Sequence, residues 1–135
     1  MAPAQKGGGL VLGGERRPMD QTVRFQETLR RLAIFDEGFA EAGLQASLAG
    51  TLALDAKTAA LLRVAVSVAI GSSAVCLEWS TSRALAAGAT KDEIADVLLA
   101  IAPVAGLGRV VSAAPVVATA LEYDIDAALE ELGDQ

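Results

Sequence analysis

Between Asp55 and Gly71 the chain reads Ala-Lys-Thr-Ala-Ala-Leu-Leu-Arg-Val-Ala-Val-Ser-Val-Ala-Ile, a run with almost no polar face. A helix that is apolar on nearly every side has to be surrounded by protein. The segment therefore predicts a central helix from Ala56 to about Ile70, capped by Asp55, with further helices packed round it. Gly71-Ser72-Ser73 reads as the joint that closes it.

The flanking segments follow the same pattern. Asp20 predicts the cap of a helix from Gln21 to about Ala42, with Val23, Leu29, Leu32, Ala33 and Phe39 at helical spacing and Gly43 as its stop. Leu44–Leu54 reads as a connector or a short helix. After the joint a helix runs from about Ala74 to Ala87 and ends at Gly88. Thr90-Lys91-Asp92-Glu93 is a capping box, in which Thr at the cap and Glu three residues on each satisfy a free backbone N–H. In the helix it opens, Ile94, Val97, Leu98 and Ile101 form one buried stripe, and Pro103 and Gly106 kink or end it. A helix over about Arg109–Leu121, with Pro115 inside it, and a short helix through Leu132 capped by Asp124 or Asp126 complete an all-α chain. The 28 alanines and 4% aromatic residues suit closely approaching helices. Residues 1–18, rich in Gly, read as a flexible arm outside a single helical domain at 19–135.

Two counts remove most familiar chemistries. With no His and one Cys among 135 residues, an intrachain disulfide, a Cys/His zinc site, a Ser-His-Asp triad and a C-x-x-C redox pair are excluded. No metal or other cofactor is expected. A net charge of −6 leaves no basic surface for a nucleic-acid backbone. Mean hydropathy is +0.43, and Val97–Leu121 has no charge except Arg109. Arg109, Pro103 and Pro115 interrupt it as a membrane span. A cytoplasmic protein with apolar surface buried between subunits is expected.

The runs Leu54-Asp55-Ala56-Lys57-Thr58 and Leu61–Ser67, with Ala84-Leu85-Ala86-Ala87-Gly88-Ala89-Thr90-Lys91-Asp92-Glu93-Ile94, resemble the carboxymuconolactone decarboxylase and alkylhydroperoxidase-D family from about Leu29 to Leu129. The resemblance implies a compact bundle of about six helices assembling as a homotrimer or homohexamer. It puts the site on the helix before Gly88, near a subunit boundary. In the peroxidase branch that helix carries C-x-x-C-x-x-x-H, which falls on Ser73, Cys76 and Ser80. The relay glutamate of the preceding helix falls on Ala60 or Leu61. Of the four positions only Cys76 keeps its residue type. The decarboxylase branch usually has a histidine where Ser80 stands.

On a helical wheel Ser73, Cys76, Ser80 and Arg83 lie within roughly 80° of one another. This strip predicts a small pocket with Cys76 and Ser80 as the reacting pair, and with Ser73, Trp79, Arg83 and Arg109 around the substrate. The plainer alternative makes Cys76 and the serines small helix-contact residues and Trp79 a packing residue. Three functions stay open at this point. One is a small-organic-acid or lactone binder with a redox-independent, lyase-type step. The others are a non-catalytic scaffold that has lost the relay, and a single-cysteine thiol peroxidase acting through Cys76.

Overall fold

The computed structural model describes residues 17–133, so most of the arm expected at 1–18 lies outside the described residues. Its last two residues belong instead to the first helix, α1 (Arg17–Ala33). A proline such as Pro18 is tolerated there because the N–H that proline lacks would have no intrahelical partner in the first turn.

The single helix expected over 21–42 is two helices, α1 and α2 (Glu37–Ala49). The break falls at Ile34-Phe35-Asp36, where Phe35 takes φ +53°, a left-handed conformation that is strained for a bulky residue. Arg31 holds the corner. Its guanidinium donates to Glu27 Oε1 at 3.1 Å and to Asp36 Oδ2 at 3.3 Å, and lies 5.6 Å from the Phe39 ring centroid. Asp36 caps α2 by accepting from the Phe39 N–H at 3.1 Å. Gly43, the expected stop, sits inside α2, which ends at Gly50.

The chain divides into two compact units between Leu52 and Ala53, within the stretch expected as a connector. The first unit holds α1 and α2. The second holds α3 (Ala56–Ala69), α4 (Ala74–Ala86), α5 (Lys91–Ala105), α6 (Leu107–Ala120) and α7 (Ile125–Gly133). The described residues are thus seven helices without a strand.

In the second unit α3 packs on α4 and α5, and α6 packs on α4 and α5. Each of these four helices gives one stripe to the core: Ala60, Val64 and Val68 from α3, Leu77 and Ala84 from α4, Ile94 and Leu98 from α5, Val110, Ala113 and Val117 from α6. The stripes are narrow and mostly small. Thr81 is fully buried among them, and its hydroxyl donates to the Leu77 carbonyl of its own helix at 2.8 Å. The expected capping box is present, with Thr90 and Glu93 bonded reciprocally at 2.8 and 3.0 Å. Glu93 also accepts from Lys57 Nζ at 3.0 Å, tying the start of α5 to the start of α3. Pro103 does not end α5; the helix carries through it to Gly106, whose φ of +95° turns the chain straight into α6. Asp124 caps α7 through the Ala127 N–H.

The sequence demands that α3 be covered all round, but the described residues cover only part of it. Leu62, Val66 and Ile70 remain exposed in a ridge along α3, and Val75 and Trp79 are exposed on α4.

Candidate functional site

Ser73 ends the α3–α4 joint as the N-cap of α4, accepting from the Cys76 N–H at 3.3 Å. Its hydroxyl is therefore committed to the backbone. Cys76 is exposed, and its thiol makes no hydrogen bond among the described residues. Three residues on, Trp79 is 63% exposed, and the Arg83 guanidinium lies over its ring, 4.8 Å from the centroid. This contact holds the cation flat on the aromatic face.

Ser80 contacts α3. Its Oγ is 3.3 Å from Ser67 Oγ, so the family's histidine position is occupied by half of a hydroxyl pair. Ser67 is also the anchor of the joint, because its carbonyl accepts from both the backbone N–H and the hydroxyl of Ser72, each at 3.0 Å. The positions matching the relay glutamate are apolar: Ala60 is in the core and Leu61 packs against it. Neither can hold or move a proton.

Two clefts flank this joint. A shallow groove of about 330 Å³ is bordered by Leu62, Arg63, Val66, Ser67 and Ser80. On the other side a cleft of about 320 Å³ reaches from Ser67, Gly71 and Ser72 to Arg109 and Ser112 of α6, with Val68, Leu77 and Val116 among its apolar walls. Gly71 has φ +67°, and the Arg109 guanidinium lies over it where a side chain would be, with Cζ within 2.9 Å of a Cβ placed there. Only glycine allows that approach.

The six residues expected to share one pocket are thus distributed. Ser80 belongs to the groove, Arg109 to the cleft, and Ser73 to the helix cap. Cys76, Trp79 and Arg83 border neither cleft. Ser67, which borders both clefts, comes from α3 and was missed. The available signal was that Ser67 and Arg63 are the only polar residues in the second half of an otherwise apolar helix.

The carboxylates with lowered pKa lie away from this joint. Glu93 is held below its ordinary value first by the Thr90 N–H and then by Lys57, and Asp55 by the Thr58 N–H. No group of three or more metal-ligating side chains occurs among the described residues. None of their helices is long and apolar enough to cross a membrane.

The model of the carboxymuconolactone decarboxylase family matches residues 35–119, from the α1–α2 break nearly to the end of α6. This span is shorter at both ends than the expected Leu29–Leu129. No curated protein and no solved structure matches the chain.

Proposed function

The chain belongs to the carboxymuconolactone decarboxylase family, and from that premise we propose that it is a homo-oligomer that binds a small organic acid or lactone. The observation that carries the reading is a pair of guanidiniums without carboxylate partners. In a chain of net charge −6, neither Arg83 nor Arg109 forms an ion pair among the described residues, where Arg30, Arg31 and Lys57 all do. An available guanidinium beside apolar walls suits a carboxylate or a polarised lactone carbonyl. The exposed ridge of Leu62, Val66 and Ile70 with Val75 and Trp79 supports self-assembly, because contiguous apolar surface of this kind marks an interface. A lone exposed thiol suits the reducing cytoplasm.

Any turnover on this scaffold is redox-independent and lyase-like, with the carboxylate held by a guanidinium and Cys76 and Ser80 as the proton-carrying groups nearest the family's site. The second reading is a binding scaffold without catalysis. It is favoured by the Ser67–Ser80 hydroxyl pair, which replaces an acid–base group with two alcohols that titrate far outside the working range.

The test is to incubate the purified protein with lactone acids, following carbon dioxide release by headspace analysis and binding by calorimetry. Turnover that falls further in Arg83→Ala or Arg109→Ala than in Cys76→Ser supports the lyase; equal activity in all three variants removes it. Binding without turnover supports the scaffold. A wild-type protein that consumed hydroperoxide, and a Cys76→Ser protein that did not, would replace both with the thiol peroxidase.

A further inference from the structure

We propose that the cleft between the α3–α4 joint and α6, with Arg109 at its wall, is a binding site for the carboxylate of a small acid with a short apolar body. The inference rests on the organic-acid reading above and narrows it to one place, away from the outward face of α4 that carries Cys76 and Arg83.

Charge is the first reason. Among the described residues Arg109 has no carboxylate partner, and no Asp or Glu borders the cleft. Arg109 also stands in the first turn of α6, which has no side-chain cap. A cation there opposes the helix dipole, and an anion beside it relieves both charges. Shape is the second reason. The Arg109 side chain is exposed, and its guanidinium lies against Gly71 at the cleft wall, in space that a Cβ there would fill. Its planar N–H fork can meet a carboxylate at two points.

The remaining walls define the rest of the ligand. Ser112 brings a hydroxyl beside Arg109, one helical turn along α6. Val68, Leu77 and Val116 offer only apolar surface. About 320 Å³ accommodates a body of ring size. Arg83 lacks these surroundings: it lies on the exposed Trp79 ring and borders neither this cleft nor the groove beside Ser80.

The test uses benzoate, with benzamide as its neutral isostere, titrated into the ¹⁵N-labelled full chain. Benzoate is expected to shift the Gly71, Ser72 and Ser112 amides and the Arg109 Nε–H, and benzamide to bind far more weakly. In Arg109→Gln the dissociation constant for benzoate should rise about tenfold or more, the loss expected for one charge-assisted contact. Gly71→Ala should give a comparable loss although Arg109 is retained, because the added methyl displaces the guanidinium.

Benzoate binding that is insensitive to Arg109→Gln, or is lost only in Arg83→Gln, overturns the cleft assignment and leaves the organic-acid reading standing. Failure of the wild-type protein to bind benzoate or any lactone acid overturns both. Equal binding of benzamide overturns recognition by charge. If Arg109→Gln changes the assembly mass while benzoate fails to bind, the partner of Arg109 is a carboxylate of a second copy, and the proposal falls.

Discussion

The Arg109 guanidinium occupies the space that any side chain on Gly71 would need, so the joint's lack of a Cβ there makes room for a cation from α6. The two residues are 38 positions apart in the chain, and neither alone predicts the contact. Gly71 reads as a turn residue and Arg109 as a charge misplaced at a helix start.

Gly71→Ala should therefore carry two separable costs. The left-handed backbone at φ +67° costs an alanine about 1 kcal/mol, and displacement of the guanidinium, the far end of a flexible side chain, adds a smaller cost. Arg109→Ala should remove only the second part. In urea denaturation the double variant is expected to be less destabilised than the sum of the single ones. Strict additivity would show that Arg109 does not rest on Gly71 in solution.

The hydroxyl pair of Ser67 and Ser80 invites a double-mutant cycle. Each serine replaced by alanine should lose about 0.5–1.5 kcal/mol, and the second replacement should cost less than the first because the shared hydrogen bond is already gone. Chemical denaturation of the four proteins measures it. A coupling of zero would mean that the two hydroxyls point to water.

Core and ridge positions on α3 should separate cleanly. Val64 is completely buried, and Val64→Ala should cost about 1–3 kcal/mol through lost burial and the cavity left behind. Val66, two residues away and exposed, belongs to the proposed subunit contact. Val66→Glu should preserve the helical circular dichroism while lowering the mass seen by analytical ultracentrifugation. An unchanged mass would place the contact elsewhere on the surface.

Acid should loosen the start of α5. The Glu93 carboxylate has a lowered pKa in the folded protein, so its contribution is present above the ordinary glutamate value and is lost as pH falls through the lowered one. Asp55 behaves in the same sense at the start of α3. Stability should decline below about pH 4, and Glu93→Gln should flatten that decline while reducing stability at neutral pH. Thermal melts from pH 3 to 7 test this.

The sequence revealed α3 to α7 because their ends are written in residue types: Asp55, Ser73, Thr90 and Asp124 are all side-chain caps, and Gly88 and Gly106 follow helix ends. It concealed the break between α1 and α2, because the left-handed residue is Phe35 and helical spacing of apolar residues continues across it. Gly43 was an equally plausible stop and is simply tolerated inside α2. The candidate site was legible only along one helix. Its relationships across helices, Ser80 to Ser67 and Arg109 to Gly71, depend on packing angles that spacing does not encode.

With Thr81 bonded to its own helix, the buried centre of the second unit has no polar bond from one helix to another among the described residues. Small, similar side chains around it fill space but distinguish poorly between one sliding position of two helices and the next. The choice of register then falls to ties at the margin, Ser67 with Ser80 and Lys57 with Glu93. The interior of this protein supplies cohesion and its periphery supplies alignment. Volume-conserving changes at Val64 or Ile94 should leave the arrangement intact, whereas cutting the Ser67–Ser80 and Lys57–Glu93 ties should weaken the alignment of the helices more than their cohesion.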